Sequence, residues 1–189
     1  MLPMFRQKTE AIIGEKLSLV AFDSEDRLVG ILSCGVNQGP EDLEKVFGPR
    51  KEPILEIKQD YGQDIRNGPW GSLNANRYHV LYDSAVKQTK KFLPEGIQKL
   101  GIPRVLFVHP EFRSEGIGIR LFSETKKILK NFGCDGWATF AVVDGSRNVT
   151  MHPEIGMKIL FTFPYRQFRE NGIPIFDGLV DGTKEHSKF

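Results

Sequence analysis

The chain has 189 residues, of which 40% are hydrophobic and 26% charged, and its formal net charge is +2. This length suits one domain with its own core, and the small charge excess gives no electrostatic reason to expect nucleic acid as a partner. Cys34 and Cys134 match no metal spacing, and no apolar run has the length of a signal peptide or membrane span. We therefore expect one cytoplasmic domain over residues 1–189, without a metal or a membrane partner; its oligomeric state stays open.

The first half of the chain predicts a β-hairpin followed by a long irregular segment. Residues 17–22 and 28–36 are strand-like, and the polar residues 24–26 supply the turn. Residues 37–100 are rich in Gly, Pro and Asn, with short helical patches between these residues. Within that segment, the apolar spacing from Tyr78 to Phe92 predicts a helix that ends before Pro94.

The second half predicts a strand–helix–strand unit. Residues 104–108 form a short apolar run ended by His109-Pro110, and residues 137–143 read as a strand buried on both sides. The helix between them ends at Gly133. Its predicted buried face consists of Ile117, Leu121, Thr125, Ile128 and Phe132. A right-handed crossover would place the two strands parallel in one sheet, which indicates an α/β fold.

The remainder of the chain predicts smaller elements. Asp144-Gly145 reads as a turn leading to a short helix around residues 148–158. The segment that follows, "KILFTFPYRQFRENGIPIF", reads as a strand and one arm of a hairpin.

The stretch "VHPEFRSEGIGIRLFSETKKIL", residues 108–129, predicts an anion site. A strand that ends just before a helix presents unpaired main-chain N–H groups beside the positive end of the helix dipole. Gly116 and Gly118 would let a phosphate approach these donors, and Arg113 and Arg120 add positive charge. A phosphate or pyrophosphate is the ligand that this pattern favours.

Two nucleotide-binding patterns fit this stretch poorly. A P-loop requires Lys-Ser/Thr after its glycines, and neither residue follows Gly118. A dinucleotide fingerprint requires a third Gly or Ala where Leu121 stands. The acidic residue that would bind the ribose, Asp144, also comes too late in the chain.

A third pattern fits better: Val108, Pro110, Arg113, Gly116 and Gly118 give Val-x-Pro-x-x-Arg-x-x-Gly-x-Gly. This motif resembles the acetyl-CoA signature of the GNAT superfamily of N-acetyltransferases. The resemblance covers residues 15–36 and 102–177, with Met157 where the family has Phe after a glycine. The long segment 37–100 resembles that of invertebrate arylalkylamine N-acetyltransferases, where it shapes the amine pocket.

The resemblance implies a mostly antiparallel sheet with a central parallel β-α-β cofactor unit and helices on both faces. It implies acetyl-CoA as co-substrate, bound by the core 102–177, with an acceptor side formed by 37–100. Leu106, Phe107 and Val108 would hold the pantetheine arm and the thioester carbonyl, beside a strand that diverges. The pyrophosphate would be wrapped by the main chain of Arg113, Ser114, Glu115, Gly116, Ile117 and Gly118.

Acetyl transfer requires a neutral amine, a polarised thioester carbonyl and a proton for the departing thiolate. The N–H of Val108 is the expected carbonyl donor. In the family, a Tyr four residues before the Gly-Phe glycine often supplies the proton. His152 stands at that position here, and histidine titrates near neutral pH; the alternative is a surface residue at a helix start. Glu56 and Asp60 are candidate pocket carboxylates or simply solvated charges.

The termini depart from the family pattern. A strand and helices precede the hairpin in the family, and here that N-terminal strand and first helix are expected to be missing. "DGTKEHSKF" looks cut within the last strand. Acetylation of a small primary amine, with an arylalkylamine as one candidate, is the leading hypothesis, although turnover is in question. The alternatives are a protein or peptide N-acetyltransferase and a truncated, non-catalytic acyl-CoA-binding module.

Overall fold

A computed structural model describes residues 14–177, together with Pro3, Met4, Arg6, Gln7, Glu10 and the backbone of Ser187 and Lys188. Its helices are α1 (Pro40–Phe47), α2 (Gly62–Arg66), α3 (Leu73–Val86), α4 (Ile117–Asn131) and α5 (Asp144–Thr150). Its strands are β1 (Leu19–Phe22), β2 (Leu28–Gln38), β3 (Lys99–Val108), β4 (Gly136–Trp137), β5 (Thr162–Phe163), β6 (Arg169–Glu170), β7 (Ile173–Pro174) and β8 (Ser187–Lys188).

The main sheet contains four strands in the order β1-β2-β3-β4. β1 pairs antiparallel with β2, and β2 pairs antiparallel with β3 over nearly its full length. β3 and β4 are parallel and joined by α4, as the strand–helix–strand pattern predicts. The predicted hairpin is thus confirmed, and so is a mostly antiparallel sheet with one parallel β-α-β unit.

Helices cover both faces of this sheet because successive strand residues point to opposite sides. On one face α4 buries Leu121, Phe122 and Leu129 against Leu32 and Cys34 of β2. On the other face, α1, α3 and β3 form a separate apolar cluster. Its buried members are Leu43, Phe47, Val86, Leu93, Leu100, Ile102 and Ala138.

The fold corrects three predicted boundaries in the chain. The helix predicted from Tyr78 to Phe92 spans Leu73–Val86 instead. It ends early because the Gln88 side chain donates to the Ser84 carbonyl and to the Glu56 carbonyl, at 2.9 and 2.8 Å. The helix predicted around 148–158 is α5, so Asp144 and Gly145 begin the helix rather than precede it.

The third boundary concerns the predicted strand 137–143, since only its first residue lies in β4. α4 itself ends as predicted, with Gly133 in the left-handed region at φ +77°. One residue of its predicted face is wrong: Phe132 is 48% exposed, because it caps the helix end.

The end of the described chain forms two small sheets. β6 and β7 make a hairpin whose turn residues, Asn171 and Gly172, have positive φ angles of 53° and 81°. β5 pairs antiparallel with β8. The sequence "DGTKEHSKF" lies mostly outside the described residues.

Candidate active site

The ladder between β3 and β4 contains two residue pairs, and Pro103 explains why it ends there. Leu100 pairs with Gly136 and Gly101 with Trp137. The next ladder donor on that side of β3 is residue 103, because alternate residues face the same neighbour. Proline has no N–H to give. Its carbonyl instead accepts the hydroxyl of Thr139 at 2.7 Å, after which the two segments diverge.

A β-bulge lies at the same place. The register between β2 and β3 shifts between Ser33 and Cys34, which pair with Val105 and Pro103, so Arg104 is the extra residue. Beyond the bulge, the N–H of His109 donates to Val29 in β2 at 2.8 Å. By alternation, the main-chain groups of Phe107 also face β2.

The main chain of Leu106 and Val108 therefore faces away from β2, into the cleft between β3 and the residues that follow β4. These residues, 138–143, are called the diverging segment below. Both residues were predicted to contact the pantetheine arm. The carbonyl of Val108 already accepts Arg113 Nε at 3.2 Å, whereas its N–H and both Leu106 groups form no described hydrogen bond on that side. Donors and an acceptor thus line one open strand edge.

The loop after β3 leads from this edge to α4. A 3-10 turn spans Pro110–Phe112, and Ser114 and Gly116 both adopt left-handed φ angles, of 66° and 79°. Within the described part of the chain, no acceptor is found for the main-chain N–H groups of residues 114–119; the first helical bond is from Arg120 to Gly116, at 3.0 Å. A row of free N–H donors therefore follows the open strand edge, separated from it by the turn at residues 109–113.

The two loop glycines serve different purposes. A Cβ on Gly116 would meet nothing within 4 Å, so this residue provides its left-handed backbone and open space above the N–H groups. Gly118 is buried, and a Cβ there would lie 3.2 Å from Val149 of α5 and 3.4 Å from Leu106. Gly118 therefore permits close packing of α4, α5 and β3, and only Gly116 borders solvent.

Positive charge flanks this loop. Arg113 and Arg120 are exposed, and neither forms an ion pair with any residue that the structure describes. Glu115 is also exposed and partly offsets their charge. The loop can thus hold an anion through main-chain donors, with two guanidinium groups nearby.

His152 lies in the turn that follows α5. Its Nδ1 accepts the N–H of Glu154 at 3.4 Å, and its carbonyl accepts the N–H groups of Ile155 and Gly156 at 2.9 Å. The ring is partly buried. One helical turn earlier, Val149 packs beside Gly118, so α5 brings this part of the chain next to the start of α4.

Residues 37–100 contribute aromatic side chains near the diverging segment. Tyr78 and Tyr82 of α3 stack with ring centroids 6.1 Å apart, and Tyr82 meets Phe140 edge-on at 5.2 Å. Burial raises the pKa of Tyr82 to about 12 and also raises that of Tyr78. Both phenols therefore stay protonated at neutral pH.

Glu56 and Asp60 lie away from the open strand edge and are engaged elsewhere. Lys91 bonds to Glu56 at 2.9 Å and lowers its pKa, and both groups border a separate polar cavity of about 550 Å³ between α3 and residues 49–58. The N–H groups of Gly172 and Gly62 lower the pKa of Asp60, which thereby links the β6–β7 turn to the start of α2.

Pro103, Arg104 and Thr139 were missed by sequence reasoning, although together they shape the cleft. Pro103 lies within the apolar run "KLGIPRVLFV". Because proline has no N–H, its presence there is the signal that β3 loses a hydrogen-bonded neighbour at this point. The bulge at Arg104 has no signal in the sequence itself, because it depends on how β2 and β3 pair.

The described residues contain no group of three or more His, Cys, Asp or Glu side chains placed to hold a metal ion. None of the helices described is both long and apolar enough to cross a membrane.

No protein-family model matches the sequence, and no curated protein matches it. Several solved structures, however, are similar to the structure of this chain. Arylalkylamine N-acetyltransferase 2 from Aedes aegypti aligns with 98% of this chain and 77% of its own at a TM-score of 0.72 and 21% identity. A mosquito arylalkylamine N-acetyltransferase-like 5b aligns with 96% of this chain and 77% of its own, at a TM-score of 0.66 and 15% identity.

A third similar structure is the Drosophila melanogaster polyamine N-acetyltransferase, which catalyses the formation of N-acetylagmatine. It aligns with 97% of this chain and 77% of its own, at a TM-score of 0.64 and 13% identity. The chain therefore has the fold of these enzymes, the GNAT fold, as its motif and order of elements predicted.

Proposed function

We propose that this chain is an acetyl-CoA-dependent N-acetyltransferase that acts on a small primary amine. One observation carries the proposal: the open edge of β3 after Pro103 is followed, after a single turn, by the row of free N–H groups at residues 114–119, and Gly118 lies against Leu106 of that edge. A strand edge and an anion cradle joined end to end suit a ligand with an extended amide-containing arm and a pyrophosphate. Acetyl-CoA has both.

The residues present fit such a ligand. The N–H and carbonyl groups of Leu106 and the N–H of Val108 would pair with the amides of the arm, much as a neighbouring strand would. Ser114, Glu115, Gly116, Ile117 and Gly118 would direct main-chain N–H groups at the pyrophosphate, and Arg113 would add charge. Phe107 pairs with Ile31 in β2, so it would contribute through its position in the strand.

Acetyl-CoA would supply an acetyl group activated as a thioester. The protein's part is to place that carbonyl beside an inward N–H on β3, which polarises it, and to hold the amine close by. We assign proton donation to His152. The acid form of the ring is the imidazolium, which would give one proton to the departing thiolate and remain as neutral imidazole.

The acceptor class follows from the acceptor side of the cleft. Tyr78, Tyr82 and Phe140 are aromatic, and Val105 and Phe107 expose 37% and 46% of their surface. An aromatic or apolar amine suits such surroundings. The similar structures act on arylalkylamines and on a polyamine, so both kinds of amine belong in the test.

The test begins with thermal unfolding of the full chain with and without acetyl-CoA. We expect acetyl-CoA to raise the melting temperature, and Gly116→Asn to remove this rise. Asparagine tolerates the left-handed backbone but fills the space above the N–H groups. Gly71→Asn is the matched control, because a Cβ there also meets nothing within 4 Å.

Release of free thiol is then measured with arylalkylamines, agmatine and a peptide with a free N-terminus. Release with a small amine supports the proposal. Release with the peptide alone would indicate a protein acetyltransferase, and a thermal shift without release on any amine would indicate a non-catalytic acyl-CoA-binding module. The absence of any shift would contradict all three.

The role of His152 has its own test. His152→Phe keeps an aromatic ring but cannot donate a proton, so we expect kcat to fall by roughly 10²-fold, in line with general acid catalysis. The thermal shift with CoA should stay the same. Unchanged turnover would mean that His152 only closes the turn after α5.

A further inference from the structure

The diverging segment is tied to β3 at its start. There the hydroxyl of Thr139 donates to a main-chain carbonyl of β3 at 2.7 Å. The ladder just before this point pairs Gly101 with Trp137, which is 36 positions later in the chain. Continued in that register, the ladder would place Val142 opposite Leu106, and the cleft would be closed.

Three residues after Thr139, a different part of the molecule holds the segment. The hydroxyl of Tyr165 donates to the carbonyl of Val142 at 2.6 Å. Tyr165 is 3% exposed and begins a 3-10 turn, whose end is closed by a bond from the N–H of Phe168 to the Tyr165 carbonyl at 3.0 Å. Because the phenol is buried in a closed turn, it gives the segment a fixed point of attachment.

Apolar packing around this attachment separates the segment from β3 in the same way. A third cluster of buried side chains includes the stacked rings of Tyr61 and Phe168, with centroids 4.3 Å apart, and Phe140 and Val142 pack against it. Ala138, at the start of the segment, packs instead with the buried residues of β3. The segment therefore passes from the core of β3 to another core within four residues, and the cleft opens between the two.

The bond from Tyr165 also removes a reason for the cleft to close. A carbonyl that loses its donor inside a protein is costly, so it moves towards another donor or towards water. The cleft contains such donors, since the N–H groups of Leu106 and Val108 face it from β3. A segment released from Tyr165 can approach β3 and cover the edge that a ligand would use.

We propose that Tyr165 is a positioning residue that holds the diverging segment away from β3 and so keeps the cleft open for the arm of acetyl-CoA. It acts through the main chain of Val142 and takes no part in the transfer itself. The inference rests on the proposed function for the identity of the ligand, but the opening of the edge can be measured without any ligand.

The test compares Tyr165→Phe with Tyr61→Phe in the full chain. Each variant removes one hydroxyl oxygen from the same cluster. Tyr61 is 2% exposed, and its hydroxyl accepts the N–H of Lys58 at 3.1 Å, away from the cleft. The two variants should therefore lower the melting temperature to a similar extent, and only Tyr165→Phe should change the cleft.

The first measurement is amide hydrogen exchange at Leu106 and Val108, followed by NMR without ligand. In the wild type both amides should exchange rapidly, because the edge is open. In Tyr165→Phe they should exchange about fivefold more slowly, in line with the loss of one neutral hydrogen bond that favours the open form. In Tyr61→Phe their exchange should stay within about twofold of the wild type.

The second measurement is calorimetric titration with acetyl-CoA. Only the open form can bind the arm, so the apparent affinity scales with the fraction of chains that are open. Tyr165→Phe should therefore weaken binding by the same factor of about five, and Tyr61→Phe should leave it unchanged. Agreement between the two factors is what a general loosening of the core would not produce.

The outcomes separate this inference from the proposed function. If the wild type does not bind acetyl-CoA but Tyr165→Phe alone slows exchange at the edge, the positioning role stands and the acetyltransferase proposal fails. If the wild type binds, weaker binding or slower exchange without the other would overturn the positioning role. Equal effects of the two variants would overturn it too, as would protected Leu106 and Val108 amides in the wild type, which need no variant to detect.

Discussion

The two halves of β3 share one strand and have opposite properties. Residues 99–102 pair with β2 on one side and approach β4 on the other, and Leu100 and Ile102 are each 1% exposed. Residues 104–108 pair with β2 alone, and Val105 and Phe107 are 37% and 46% exposed. A single proline separates a half that stabilises the sheet from a half whose edge can bind a ligand.

The difference shows that the open edge of β3 does not depend on a special loop alone. It arises because a regular ladder loses one donor at Pro103, and the bulge at Arg104 then turns the strand. If this view is right, substitutions in the first half should change stability, whereas substitutions in the second half should change binding with little loss of stability.

The largest expected effect comes from Leu100→Ala in the paired half. Leu100 is buried between α1, α3 and β4, so truncation leaves a cavity and should lower the free energy of unfolding by about 2–5 kcal/mol. Val105→Ala, in the open half of the same strand, should cost about 0.5 kcal/mol or less. Chemical denaturation followed by fluorescence measures both, and similar losses would erase the distinction between the halves.

An intermediate effect is expected from the two glycines of the loop. Gly118→Val adds three carbons against Val149 and Leu106, and such overpacking should cost about 1–3 kcal/mol. Gly116→Asn enters open space with a tolerated backbone, so its cost should be about 0.5 kcal/mol or less. A larger loss at Gly116 than at Gly118 in thermal unfolding would reverse the roles given to them.

The smallest effect, and a pH-dependent one, is expected where β3 begins. The N–H groups of Gln98 and Lys99 both donate to Asp135 at 2.8 Å and lower the pKa of its carboxyl group. Because the pKa of Asp135 is lower in the folded chain, its carboxylate stabilises the fold at any pH above its unfolded pKa of about 3.9. This stabilisation is lost as the pH falls through the pKa of the folded state. Asp135→Ala should therefore melt below the wild type at pH 7.

At pH 3 and below, the difference between Asp135→Ala and the wild type should shrink. Asp135→Asn is the matched control, since its amide oxygen still accepts a hydrogen bond but does not titrate. A melting difference that is constant from pH 7 to pH 3 would show that Asp135 acts through packing and not through its charge.

Local patterns in the sequence predicted the hairpin, the parallel unit and the loop, because each is written in neighbouring residues. Turn residues at 24–26, apolar alternation, and Val108, Pro110 and Arg113 before two glycines are such signals. The acetyl-CoA contacts and the role of His152 remain predictions, now with a geometry that experiments can address.

What failed depends on partners distant in sequence. The strand predicted at 137–143 has the right composition but loses its neighbour at Pro103, some 35 residues earlier in the chain. The helix predicted from Tyr78 to Phe92 spans Leu73–Val86, and beyond its end the Gln88 side chain donates to the carbonyl of Glu56, 32 residues earlier.

The bulge at Arg104 has one more consequence, which concerns aggregation. An unpaired strand edge attracts other strands and promotes aggregation, and the open half of β3 is such an edge. Here the edge is short, and the bulge at Arg104 bends it and places a charged residue on it. In addition, Arg113 donates a hydrogen bond to the carbonyl of Val108. The irregularity that opens the edge thus also protects it from a second chain.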